Sequence, residues 1–204
     1  FVGRVRVLHL AGSGLLGLLL ATLMLLTSPQ RAARVEAFLG TKIFPHTEAE
    51  SVFDPQNEGY QARQARIAFA MGGLTGVGPG KSVQRDFLPA PYNDFIFAIV
   101  AEEYGLIGAL LLLGALLVLL FRGYLRIARH APDPLGFFLA FGATTMLVLQ
   151  GFVHAAVTCG LLPVTGLPFP FVSYGGTSLL TSGILVGLLL SVSRRVQSPE
   201  TERS

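Results

Sequence analysis

The sequence predicts an all-α polytopic membrane protein, and three observations carry that reading. Four stretches, about 8–27, 95–121, 137–160 and 176–193, stay apolar over roughly 18 or more residues, enough helix to cross the hydrocarbon of a bilayer. Only 13% of the 204 residues are charged and 51% are hydrophobic, whereas a soluble domain carries about 25% charge. The arginines sit in short clusters beside the apolar runs, as the positive-inside rule expects.

The first stretch follows Arg4 and Arg6 and has the look of a signal peptide. It exceeds the usual apolar core of about 7–15 residues, however, and lacks a small-x-small cleavage site, so it reads as a span. The chain starts at Phe1, almost directly on that run, and reads as the C-terminal part of something longer. Residues 28–93 form a long polar connection rich in Gly, Pro and Gln. Within it, 60–71 has helical spacing with Arg63 and Arg66 on adjacent turns, and 31–38 suits a short amphipathic helix at a membrane interface. Connections 122–136 and 161–175 join the later spans, and 194–204 is a tail.

If the four spans alternate, Arg4 and Arg6, Arg122, Arg126 and Arg129, and Arg194 and Arg195 all fall on one side, while 161–175 holds no Lys or Arg. That bias puts both ends of the chain and 122–136 in the cytoplasm, and 28–93 outside. Asp94 then sits at the outer face.

Two function classes fall away. The net charge of +3 comes without an interleaved basic and aromatic surface, which argues against nucleic acid. GGLTGVGPGKS (72–82) invites a nucleotide-loop reading, but Thr75 stands where that pattern needs glycine and no strand leads in, so no nucleotide is expected. The stretch reads as a glycine loop whose bends need positive φ. Its amides, with Lys81 or Arg85, can still meet a lipid phosphate. His46, Glu48 and Glu50 alternate in a way that suits solvation better than metal binding. Cys159, the one cysteine, has no internal disulfide partner.

GLLPVTGLPFPFVSYGGTS (160–178) breaks regular helix between two spans. Irregular backbone at membrane depth survives only when buried in protein or lining a wet cavity. Ser173, Tyr174, Gly175 and Gly176 lead into the last span, with Thr177 and Ser178 as N-cap types, and the amide-rich start of that helix can face an anionic headgroup. The alternative is a tight aromatic-proline hairpin at the interface.

The second span carries Asp94, Glu102 and Glu103. Asp94 or Asn93 can cap the helix. On a regular helix Glu102 lies roughly 12 Å below Asp94 and about 80° around, with Glu103 about 180° around. A central carboxylate costs about 2.5–3.5 kcal/mol on insertion scales, so both glutamates face protein or a wet groove. Structural support is the preferred role for Glu102 and Glu103, and His154 reads as a packing or hydrogen-bonding residue within its span.

DFLPAPYNDFIFAIVAEEYGLIG (86–108), GLLPVTGLPFPFVSYGGTSLL (160–180) and DPQNEGYQARQARIAFAMGGLTGVGPG (54–80) together resemble the C-terminal half of the shape, elongation, division and sporulation proteins of the FtsW/RodA type. The resemblance covers nearly the whole chain, and YNDF and SYGGTS look more like the cell-division members. It implies ten spans, of which these are the last four, in the bacterial cytoplasmic membrane. It also implies polymerisation of lipid II into a nascent glycan strand, with membrane lipid, a class B penicillin-binding transpeptidase and other division proteins as partners. The acid of the family's D-F-I motif falls on Asp94, with Asn93 in place of the usual threonine. His154 stands where an asparagine is common.

On that resemblance Asp94 acts as the base on the acceptor hydroxyl, or as ligand to a divalent cation, Mg²⁺ or Mn²⁺, that bridges to pyrophosphate. Arg63, Arg66, Lys81 and Arg85 are the candidate phosphate partners. A lipid flippase and a non-catalytic scaffold remain as competing classes.

Overall fold

The computed structural model describes residues 7–27, 58–88 and 90–196. The expectations for Arg4 and Arg6, the 31–38 helix, His46, Glu48, Glu50 and the end of the tail lie outside them. The described residues contain helices and turns and no strand. They divide into two compact units, one within Phe1–Glu50 and one within Ser51–Ser204.

The first unit contributes α1, Val7–Thr27. Leu15, Leu16, Leu18, Leu19, Leu20 and Leu23 are exposed, and the hydroxyls of Thr22 and Thr27 donate back to the carbonyls of Leu18 and Leu23, at 2.8 and 2.9 Å. Polar groups on an apolar helix are thereby satisfied without leaving it.

The second unit holds α2 (Glu58–Gly72), a 3₁₀ turn (Gln84–Asp86), α3 (Ile96–Phe121) with a π-helical extension (Arg122–Ala128), α4 (Pro134–Thr158) and α5 (Gly176–Val196). Among the described residues three helices are long and apolar enough to cross a membrane, Ile96–Ala128, Pro134–Thr158 and Gly176–Val196, while the expected first span contributes a shorter apolar helix, Ala11–Met24. Their exposed faces carry Leu110, Leu111, Met146, Leu149, Leu180 and Leu190, while alanines fill much of the contacts between them. That arrangement suits a solvent of lipid, where small residues let helices approach and apolar side chains need no burial.

Several boundaries differ from those expected. The connection 122–136 shrinks, because helix continues through Ala128 with the wider π pattern, Arg129 N–H donating to Tyr124 O at 3.0 Å. The span expected at 137–160 begins earlier. Asp133 caps it by accepting from Gly136 N–H at 3.2 Å, and Pro134 takes the first helical position, where its missing N–H costs nothing. It also ends earlier, since Gly160 at φ 75° carries a Schellman closure, with Gly160 N–H to Val157 O and Leu161 N–H to Ala156 O. Arg194 and Arg195 fall in the last turn of α5 and complement its dipole.

The largest departure lies inside α3, which breaks at Gly105 (φ 68°, ψ −166°). A break frees two carbonyls before it and two amides after it, and at membrane depth each unpaired group is costly. The glycine loop supplies all four partners. Val77 and Gly78 donate to Glu102 O and Glu103 O, each at 3.0 Å, while Leu106 and Ile107 donate to Gly73 O and Leu74 O, at 2.9 and 3.3 Å. A Cβ on Gly76 would run into the Glu103 carbonyl, and one on Gly105 into that of Leu74. The loop is thus built into the helix.

Packing sorts the unit into two ends. At one, Ala65 and Ala68 of α2 pack with Leu88, Phe95, Ala98 and Ile99 at the start of α3. At the other, Ala128, Ala140 and Val192 bring together the π turn, the start of α4 and the finish of α5.

Candidate functional site

Asp94 lies in the turn before α3, not on its first helical turn. The N-cap is Phe95 (φ −127°, ψ 16°), and no side chain caps it. Capping by Asn93 or Asp94 is therefore corrected, as is the regular-helix offset between Asp94 and Glu102. The N–H groups of Asn93 and Asp94 both donate to Ala90 O at 3.2 Å, closing a tight turn after the prolines. This turn holds Asp94 partly buried, and its carboxylate makes no hydrogen bond or ion pair among the described residues.

The broken segment 160–175 closes over this turn. Buried Ser173 donates its hydroxyl to Asn93 O and accepts from Phe169 N–H, both at 2.7 Å. Tyr174 N–H donates to Tyr92 O at 2.9 Å, while its ring stays exposed. From beneath, Gln150 donates to Pro168 O at 2.9 Å, and His154 Nδ1 sits 2.7 Å from Leu167 O. A carbonyl only accepts, so Nδ1 carries the proton there. His154 is buried, packs edge-on to Phe169 and lies within electrostatic range of Asp94. It thus contacts the broken segment through Leu167 O.

Between these pieces lies a cavity of about 580 Å³ lined by Tyr92, Ile96, Phe171, Val172, Ser173, Tyr174 and Leu179. Two of those residues, Tyr92 and Ile96, flank Asp94 in sequence. Phe171 takes φ 64°, an uncommon conformation for a bulky residue, and its exposed ring forms part of the wall. The space is mostly apolar, and Tyr92 of the Asp94 turn lines it.

The expected cations are only partly gathered. Arg85 belongs to this end: its Nε lies 3.5 Å from Asp86 Oδ1, and Tyr92 is the neighbour with the largest influence on its guanidinium. Both push the guanidinium pKa further up, so Arg85 stays cationic. Arg66 lies over Gly160, whose added Cβ would come within 2.6–3.0 Å of the guanidinium. Arg63 and Lys81 are exposed, and no contact joins either to Asp94 among the described residues. Gly175 and Gly176 open α5, with Leu179 N–H on Gly175 O at 3.0 Å; Thr177 and Ser178 lie inside its first turn instead of preceding it.

Glu102 behaves in the opposite way to Asp94. It is wholly buried and accepts from the Ser82 hydroxyl, Val83 N–H (2.9 Å) and Gln84 N–H (3.3 Å to each oxygen). It faces protein, not a wet groove. Glu103 is partly buried and serves through its carbonyl, on Gly78 N–H. Ser82, Gln84, Tyr92 and Gln150 were missed as site residues. Gln150 was findable, one turn before His154 in an otherwise apolar helix, by the rule that intramembrane polar groups have partners.

No group of three or more His, Cys, Asp or Glu able to hold a metal occurs among the described residues. A divalent cation at Asp94 fits only as one carboxylate supplemented by phosphate oxygens and water, a common arrangement for Mg²⁺.

A family model described as cell cycle protein, covering FtsW, RodA and SpoVE, matches residues 1–198. Stage V sporulation protein E of Bacillus subtilis is 43% identical over 195 residues, covering 95% of this chain and 50% of that protein. A protein of Geobacter metallireducens named probable peptidoglycan glycosyltransferase FtsW is 48% identical over 145 residues, covering 71% of this chain and 38% of its own length. The chain thus spans half or less of these relatives. Among solved structures, a chain from work described as structural coordination of polymerization and crosslinking by a peptidoglycan synthase complex superposes with a TM-score of 0.67. It is 30% identical, and the match covers 93% of this chain and 49% of that one. The chain belongs to the FtsW/RodA/SpoVE family of cell cycle proteins.

Proposed function

We propose that this chain carries the catalytic turn of a peptidoglycan glycosyltransferase that polymerises lipid II at the outer face of the bacterial cytoplasmic membrane, with cell division as its setting. The observation that carries the reading is the Asp94 carboxylate, without a hydrogen bond among the described residues, in a turn whose neighbours Tyr92 and Ile96 line an apolar cavity. The names of the relatives support the reaction class, and the arginine clusters support the orientation, with both ends of the chain cytoplasmic.

In this reading the acceptor sugar hydroxyl attacks the anomeric carbon of the donor. Asp94 accepts the hydroxyl proton, a contribution of about 10²–10⁴-fold. The bond from that carbon to the pyrophosphate oxygen breaks, and its electron pair leaves with the polyprenyl pyrophosphate. Arg85, whose neighbour Tyr92 lines the cavity, is assigned to meet the leaving charge, with Arg66, Lys81 and Arg63 as further candidates. Ser173, Tyr174, Gly175 and Gly176 shape the wall and lead into the α5 amides. A divalent cation, if bound by Asp94, would neutralise pyrophosphate charge. A class B penicillin-binding transpeptidase is the proposed partner, in keeping with the polymerisation and crosslinking complex that the fold resembles.

A flippase reading drew on buried glutamates in a wet groove. That reading also draws on Glu103 and on the broken backbone near 160–175; Glu102 is hydrogen-bonded by the loop and so no longer counts toward it. Purified full-length protein in detergent, given labelled lipid II, tests the proposal without a second compartment. Glycan strands are the expected product; a flippase or a scaffold makes none.

A further inference from the structure

We propose that Glu102 is a positioning residue for Asp94, because it closes a ring of chain, 82–102, that contains both Arg85 and Asp94. The inference rests on the polymerase reading above. One side of the ring is the direct run of chain from Asp94 through the first turns of α3 to Glu102. The other side is a continuous set of contacts. The Ser82 hydroxyl donates to Glu102 and accepts Arg85 N–H at 3.2 Å, so the same group that meets the carboxylate fixes the Arg85 backbone. Gln84 N–H is held by Glu102, and Gln84 O in turn accepts Phe87 and Leu88 N–H at 3.1 and 3.2 Å. Leu88 is buried with Phe95 and Ala98, and Ala90 O holds the amides of Asn93 and Asp94.

Attachment of the glycine loop to α3 does not need this carboxylate, since four backbone bonds at Gly105 already secure it. No Lys, Arg or His pairs with Glu102 among the described residues. Burying a carboxylate on neutral donors alone is a costly way to pack a loop, and a reasonable way to fix its register. The ring therefore sets the placement of Asp94 and Arg85, while the joint below it holds the fold together.

The test uses full-length protein and Glu102→Gln, whose amide NH₂ meets donors where an oxygen accepted. Turnover of lipid II is expected to fall on the order of 100-fold, the scale of about a 1 Å misplacement, with KM unchanged and melting lowered only modestly by the donors left unpaired. Amide exchange should quicken at Val83, Gln84, Asn93 and Asp94 and stay slow at Leu106 and Ile107. Wild-type turnover in the variant overturns the proposal, as does faster exchange spread equally to Leu106 and Ile107. Should Glu102→Gln fail to fold, Ser82→Ala decides: about tenfold slower turnover in protein that still folds supports the ring, and wild-type turnover overturns it. Ser82→Thr, which keeps the hydroxyl, should recover the rate; no recovery counts against the ring. If wild-type protein makes no glycan, the polymerase reading falls, while the exchange pattern still decides the ring.

Discussion

Two carboxylates eight residues apart in sequence meet opposite environments. Glu102 is sealed at the joint between the glycine loop and α3, with a hydroxyl and two amides on its oxygens. Asp94 sits in a turn at the helix entrance, partly open, with no hydrogen bond to its carboxylate among the described residues. In the proposed mechanism the acid deeper in the apolar helix serves the architecture, and the acid at its edge serves the chemistry. Depth alone is a poor guide to function; saturation of the oxygens is a better one.

The contrast can be broken most forcefully at Asp94. Asp94→Asn removes the proton acceptor while keeping its shape, so polymerisation should fall by at least about 10²–10⁴-fold with melting unchanged. Normal strand synthesis by that variant would take Asp94 out of the mechanism.

Next comes the joint. Gly76→Ala places a methyl against the Glu103 carbonyl, and the residue needs φ 81° besides. Overpacking of this kind costs about 1–3 kcal/mol, to which the strained backbone adds, so the detergent melting temperature should drop and expression should fall. Unchanged melting would show that the loop is not seated in the break.

A smaller effect belongs to Ser173→Ala, which leaves Phe169 N–H and Asn93 O without their hydroxyl partner. A loss of about 1–3 kcal/mol in local stability is expected, seen as faster amide exchange at Phe169 and a rise in KM for the lipid substrate. Wild-type exchange at Phe169 would mean the clamp over the Asp94 turn is idle. Smallest is the pair Arg85→Ala and Lys81→Ala. KM should rise several-fold for the first and barely for the second, since Arg85 neighbours Tyr92 whereas Lys81 is exposed. Equal effects would return Lys81 to the site.

The helices of this unit were legible because their signal is local: apolar length defines α3, α4 and α5 wherever they pack. Helix ends were less so. Asp133-Pro134 is an ordinary cap-and-proline start that apolar averaging passed over, and Gly160 an ordinary stop. The break at Gly105 could not be read from α3 alone, because glycines recur in membrane helices and only the loop 72–78 shows which one opens. Likewise Asp94 was found by motif and Glu102 by the cost of burying charge, but the partners of Glu102 lie some twenty residues away in the chain. Contacts of that range belong to the fold, and two of its three donors are backbone amides that carry no residue-type signature.

The most direct measurement is carbodiimide labelling of the carboxylates in folded full-length protein, read residue by residue by mass spectrometry. Asp94 should take the label while Glu102 stays unmodified until the protein is unfolded. Equal labelling of the two, or a labelled Glu102 beside a protected Asp94, would contradict the division of roles on which the account stands.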